Sequence, residues 1–342
     1  MNKRAALTYL MVTAVVVVIL AVSLLKKKPE QIKYTQLLMG TIVEITLVGN
    51  NIELMNNAKD SAFKEIQRLE SLMSHYQDAS EVSRTNREAG REQVKVSQEV
   101  IEVIASAKKV SEMTDGAFDI TMGVLGKAWH FTNDDKGEPL PPAKKDIEHL
   151  LPLIDYRQII IDKESKTVKL NKQGMQINLG GIAKGYIVAK AVDEIKKKGI
   201  KKGVVHAGGD MFVFQDNEDT PWKIGIRHPR NKDAILGTIT ISNGAVATSG
   251  DYERFFVKDG IRYHHIMNPK TGFPVSWTQS VTIVAKDAVM ADALSTAVFV
   301  MGTEKGMDLI ERLPDIEGLI VDADGRIKVS SGLKEKITME RQ

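Results

Sequence analysis

A chain of 342 residues, 43% hydrophobic and 27% charged, has an ordinary globular composition, and it is longer than one hydrophobic core usually fills, which predicts two lobes. Five of the 47 Lys and Arg fall within residues 1–28 and none of the 44 Asp and Glu does, so the remaining 42 basic and 44 acidic residues leave a net charge of −2. That balance excludes an electrostatic footprint for nucleic acid, and the absence of cysteine excludes disulfides and a lipid-modified cysteine anchor.

The first element is apolar. Lys3 and Arg4 precede an uncharged run from Ala5 to Leu25, and Lys26, Lys27 and Lys28 close it. About 20 such residues cross a bilayer as a helix, and no Ala-x-Ala cleavage site ends the run. The expectation is an uncleaved single-pass signal anchor over residues 1–28 in the cytoplasmic membrane. The short preceding tail favours a catalytic domain outside the cytoplasm, on the periplasmic side. Residues 29–37 read as a polar tether, 38–335 as the folded domain and 336–342 as a polar tail.

Thr41–Leu47 alternates as a strand. Asn51 caps an expected helix whose apolar positions Met55, Ala58, Ala62, Ile66, Leu69 and Met73 keep a 3.6 period. Ser97 opens a second helix carrying Val100, Ile104, Ala107 and Val110. Residues 132–148, rich in Asp, Lys, Gly and Pro, read as an exposed excursion. The second half mixes strands at 203–207, 211–214, 222–226, 238–241 and 281–285 with helices after Gly181 and around 288–301. Asp324-Gly325 marks a hairpin turn. The pattern predicts an α+β fold with mixed or antiparallel sheets and packed helices.

Four groups could carry chemistry. Asn178-Leu179-Gly180-Gly181-Ile182-Ala183-Lys184 stands at a helix start, where free N–H groups and Lys184 would favour an anion; a glycine turn with a solvated lysine explains it equally. His206-Ala207-Gly208-Gly209-Asp210 reads first as a hairpin turn. His264 and His265 point to opposite sides of a strand, so at most one serves a given site; His265, at the strand end before Asn268-Pro269, is the candidate base. Asp292, Ser295 and Thr296 lie on one helix face at i, i+3 and i+4 and offer oxygens suited to Mg²⁺. A helix cap with a packed threonine is the plain alternative.

Taken together these blocks resemble the ApbE family of flavin transferases. The matching segments are Met39-Gly40-Thr41, Ser74-His75-Tyr76, Gly116-Ala117-Phe118-Asp119 with Thr121-Met122-Gly123, Gly180–Tyr186, and Ala207-Gly208-Gly209-Asp210. Gly225–Arg230, Thr248-Ser249-Gly250-Asp251-Tyr252, His265–Gly272 and Ala291–Thr296 complete the series, in order, over about residues 35–330.

The resemblance implies an ApbE or T-fold-like architecture and Mg²⁺-dependent transfer of FMN from FAD to a Ser or Thr hydroxyl of an acceptor flavoprotein, with AMP leaving. An outward-facing membrane electron-transport subunit is the expected acceptor. Carried over by motif, Met39, Tyr76, Ala117, Phe118, Asp119, Asn178, Lys184 and Ile266 would contact FAD. Asp292, Ser295, Thr296 and the carbonyl of Gly181 would hold the metal. His265 would take the acceptor proton, with Asp251 a lesser candidate. Two positions depart from the family pattern: Asn178 stands where Asp is common, and no proline follows Asp119. FAD hydrolysis to FMN and AMP, and a membrane-tethered flavin-binding protein without turnover, are the alternatives. No Ser/Thr-Gly-Ala-Ser/Thr segment is present, which argues against self-modification.

Overall fold

Two strands joined by a two-residue turn open the fold in a computed structural model that describes residues 29–131, 139–216 and 220–340 together with Met11 and Thr13. β1 (Glu30–Leu38) and β2 (Thr41–Gly49) pair antiparallel from Glu30 opposite Gly49 to Leu38 opposite Thr41. Met39 and Gly40 both take positive φ, 54° and 66°, the turn handedness that matches strand twist. This corrects the expected tether at 29–37. Half-buried Ile32 and Tyr34 alternate there with exposed Gln31, Lys33 and Thr35, a period of two that the polar half obscured. The expected membrane segment lies outside the described residues apart from Met11 and Thr13. Among the described residues no helix is long and apolar enough to cross a membrane.

α1 (Ile52–Met73) begins where Asn51 accepts the Leu54 amide at 3.0 Å and buries the face that its period marks out. α2 (Glu81–Arg87) and β3 (Val94–Lys95) lead to α3 (Gln98–Met113), capped by Ser97. After the short α4 (Lys144–Glu148), β4 (Ile159–Asp162) and β5 (Thr167–Leu170) form a small sheet with β3. α5 (Ala183–Lys197) precedes the hairpin of β6 (Lys202–Ala207) and β7 (Asp210–Phe214). β8 (Trp222–Arg227), β9 (Ile235–Ile241), β10 (Gly244–Gly250), the hairpin β11 (Phe255–Lys258) and β12 (Ile261–His264), and β13 (Thr278–Ala285) follow. α6 (Ala288–Met301), α7 (Thr303–Arg312), β14 (Ile316–Asp322), β15 (Ile327–Val329), α8 (Ser331–Lys334) and β16 (Ile337–Met339) end the fold. β16 pairs with β9, so Ile337–Met339, within the segment read as a polar tail, belong to a sheet.

The spine is one eight-stranded sheet in the order β1-β2-β6-β7-β10-β13-β14-β15, antiparallel at every pairing. α1, α5 and α6 cover one face with the main core. A second sheet, β16-β9-β8, covers part of the other through Ile226, Leu236, Ile239 and Ile337 against Val246, Val284 and Leu319. Central β13 is therefore buried along its whole length. Instead of two comparable lobes there is a main core and two satellites. The third cluster, around Leu125, Trp129, Ile147 and Met267, lies beneath the loops beside the site. Fully buried Phe299 and Phe214 each contribute on the order of 2–3 kcal/mol.

Candidate active site

Asp287, not Asp292, caps α6: its side chain accepts from the amides of Val289 at 2.8 Å and Met290 at 3.4 Å. Asp292 sits a turn further in, 3% exposed, on the side facing α5. Its Oδ2 accepts the Gly185 N–H at 2.9 Å, and its Oδ1 lies 4.0 Å from Lys184 Nζ. The Lys184 ammonium also pairs with buried Asp210, the first residue of β7. Gly208 and Gly209, at φ 55° and 98°, make the β6–β7 turn that delivers Asp210 there. Burial, aided by the neighbouring Asp210, pushes the Asp292 carboxyl up to about 7, and burial raises Asp210 too. One ammonium thus serves two buried carboxylates.

Hydroxyls continue the oxygen-rich surface. Ser249 Oγ, on β10, lies 2.8 Å from Ser295 Oγ and 3.2 Å from Thr296 Oγ1. Ser295 donates to the Asp292 carbonyl at 2.8 Å. Gly181 lies against this group, since a Cβ built there would stand 3.4 Å from Thr296 Oγ1 and 3.2 Å from Phe118. Gly185 is the third residue of α5, and the first N–H groups of a helix have no partner within it; Asp292 takes this one, and no backbone N–H bonds the Gly181 carbonyl among the described residues. The donor set is a carboxylate, two hydroxyls and a carbonyl, with a second carboxylate near. Among the described residues no group of three His, Cys, Asp or Glu forms a metal cage. Hard oxygens with one or two carboxylates fit Mg²⁺, which takes its other ligands from water and substrate phosphates.

The two histidines divide as their spacing requires. His264 ends β12 and is packed: Nε2 bonds the Val275 carbonyl at 2.7 Å and Nδ1 accepts the Ile266 amide at 3.2 Å, which assigns the proton to Nε2. His265 is open to solvent at one edge while protein crowds its other sides. That crowding, with His264 and Arg254 beside it, holds its pKa below the ordinary imidazole value, so the ring is neutral. The Asn268–Gly272 turn fixes the strand end: Asn268 accepts from Thr271 and Gly272, and Trp129 Nε1 bonds the Gly272 carbonyl at 2.9 Å. Asp251, the lesser candidate base, is held by Arg230 through bonds of 2.6 and 2.7 Å to its two oxygens. Both carboxylate oxygens are therefore already engaged by the guanidinium.

The remaining candidates line the approach. The Met39-Gly40 turn lies beside Arg254, whose guanidinium would stand 3.6 Å from a Cβ on Gly40. Arg254 is tied to His265, whose N–H donates to its carbonyl at 3.1 Å. Tyr76 is 76% exposed and leans on His75 at a ring distance of 3.9 Å. Ala117 and Phe118 lie in the loop after α3, and Phe118 reaches Gly181. Asp119 spends both oxygens internally, on Thr121 and on the Tyr156 amide, so its side chain shapes the loop. Asn178 accepts the Gly180 amide at 2.8 Å, and Ile266, next to His265 in the chain, is buried. A groove lined by Lys108, Glu112 and Arg157 holds none of these residues. Reading by residue overlooked Gly185, Ser249 and Arg254 and treated Asp210 as a turn residue. A glycine inside an otherwise helical run was the available signal for Gly185.

The structure brings together an acidic cluster with hydroxyls at a glycine-started helix and, near it, a neutral histidine, a set of groups that could hold a cation. The ApbE family model matches residues 39–320. A relative from Klebsiella pneumoniae named FAD:protein FMN transferase is 33% identical over 300 residues, covering 87% of this chain and 91% of the relative. Among solved structures, the ApbE protein from Thermotoga maritima superposes with a TM-score of 0.83 at 36% identity, covering 92% of this chain and 100% of that one. The flavin transferase ApbE from Vibrio cholerae gives 0.79 at 27% identity, covering 90% and 99%. The chain belongs to the ApbE family.

Proposed function

We propose that this protein is an FAD:protein FMN transferase, moving FMN from FAD to a Ser or Thr hydroxyl of another protein and releasing AMP. The observation that carries the reading is the bond that Asp292 accepts from the first turn of α5, which sets its buried carboxylate beside Gly181 and the hydroxyls of Ser295 and Thr296. Those four residues would hold Mg²⁺, which when bound would neutralise phosphate charge. The family resemblance supports Met39, Tyr76, Ala117, Phe118, Asp119, Asn178, Lys184 and Ile266 as the FAD contacts, with Asp119 acting through the loop it shapes.

The acceptor oxygen attacks the phosphorus of the FMN half. The anhydride P–O bond breaks, AMP leaves with the electron pair, and the acceptor proton passes to neutral His265. Asp251 is better cast as an anchor for Arg230 than as a base. Because His265 is open to solvent, water is the competing nucleophile, and FAD hydrolysis is the second reading. Residues 1–28 support a membrane tether that would put the site outside the cytoplasm, within reach of electron-transport subunits.

Incubating the protein with FAD and Mg²⁺, with and without a candidate acceptor, tests the reading through its small products. Transfer gives AMP release that rises with acceptor while free FMN does not. AMP and free FMN in equal amounts regardless of acceptor would establish hydrolysis, and no AMP would establish binding without turnover.

A further inference from the structure

Arginines cluster where β8, β10 and the β11–β12 hairpin meet, and most have carboxylate partners. Arg230 grips Asp251, Arg262 approaches the same carboxylate at 3.9 Å, and Arg227 lies 3.6 Å from Glu253. Arg254 has no ion pair among the described residues. Its positive charge is felt by Lys184 and by the His75 and His265 rings, none of which is an anion. The guanidinium nevertheless has a defined place. Its backbone carbonyl is bonded by the His265 N–H at 3.1 Å, and its Nη2 would stand 3.6 Å from a Cβ on Gly40, at the β1–β2 turn.

Lys184, the residue first expected to meet the substrate's phosphates, is already engaged by Asp210 and faces Asp292. An uncompensated guanidinium beside a neutral histidine, across from a buried acidic cluster, lacks only an anion. We propose that Arg254 is the clamp for the substrate's pyrophosphate, gripping phosphate oxygens through its planar fork while Lys184 organises the carboxylates. This rests on the FAD reading above. It assigns to Arg254 a binding role that orients the phosphorus next to His265.

The test compares wild type, Arg254→Ala and Arg254→Lys in Mg²⁺, titrating FAD by flavin fluorescence and displacing it with inorganic pyrophosphate. Ligand-free melting temperatures are measured alongside. Loss of a charge-assisted bond predicts at least about tenfold weaker FAD binding in Arg254→Ala. It also predicts intermediate binding in Arg254→Lys, a shallower salt dependence, weakened competition by pyrophosphate and an unchanged melting temperature. FAD affinity equal to wild type, or a melting temperature that falls in step with affinity, would overturn the clamp. Wild type that binds FAD but ignores pyrophosphate would overturn it as well. Wild type that binds no FAD would instead overturn the FAD reading, and the clamp with it.

Discussion

The amide of Gly185 donates to the carboxylate of Asp292 at 2.9 Å, and this bond joins the start of α5 to the second turn of α6. It requires glycine. A Cβ at 185 would stand 2.2 Å from the Ala288 carbonyl oxygen and 2.8 Å from Asp292 Cβ. Gly185→Ala therefore forces the helices apart. The expected cost is about 1–3 kcal/mol in thermal unfolding, the usual range for overpacking. Stabilisation by Mg²⁺ should shrink with it, because the parting helices carry the Gly181 carbonyl away from Asp292 and Thr296. Equal Mg²⁺ stabilisation in both proteins would contradict this link.

Ser249 bridges Ser295 and Thr296 from the neighbouring strand, so it orients two proposed ligands without being one of them. Ser249→Ala should weaken Mg²⁺ affinity by roughly 10–100-fold, as loss of an orienting partner does elsewhere. Asp292→Asn should abolish Mg²⁺-dependent turnover. Titrating activity against Mg²⁺ separates the two: a shifted midpoint with recoverable maximum for the serine variant, and no recovery for the asparagine.

His264 and His265 should behave oppositely. His264→Ala strips the Val275 carbonyl and the Ile266 amide of a buried partner, costing about 1–3 kcal/mol of stability. His265→Ala should leave melting unchanged and FAD affinity near wild type, yet lower transfer by about 10²–10⁴-fold. Chemical denaturation and single-turnover transfer on both variants check the division.

The pH profile follows from the depressed His265 pKa. A base acts in its unprotonated form. An ordinary imidazole, with a pKa near 6.5, would lose that form as pH falls through about 6.5. His265 is held lower by crowding, with His264 and the Arg254 guanidinium beside it, so its neutral form persists below that point. Transfer should then be retained at pH 6 relative to pH 7.5 with Mg²⁺ saturating. A His265-dependent fall centred near pH 6.5 would contradict the assignment.

Much of this site could be read from spacing alone. Asp292, Ser295 and Thr296 share a helix face because three and four residues bring side chains together, and adjacent histidines must diverge in a strand. What spacing cannot convey is which carboxylate caps. Asp287 and Asp292 both stand near the start of α6, and only the packing of α5 shows Asp292 turned inward. Asp210 was hidden because Gly-Gly-Asp explains a hairpin fully by backbone needs, and the Lys184 contact crosses 26 positions of sequence. β1 escaped notice because an edge strand with one wet face carries polar residues at every second position. Arg254 was invisible for a further reason: its significance lies in the carboxylate partner it lacks, and pairing is a property of the folded state.

On the mechanism proposed above, the oxygen cluster and His265 together place FMN on a protein hydroxyl. Intact mass spectrometry of a candidate acceptor, after incubation with this protein, FAD and Mg²⁺, tests it most directly. The acceptor should become heavier by one FMN phosphoryl adduct, absent when Mg²⁺ is chelated and nearly absent with His265→Ala. An acceptor of unchanged mass while AMP and free FMN accumulate would contradict it.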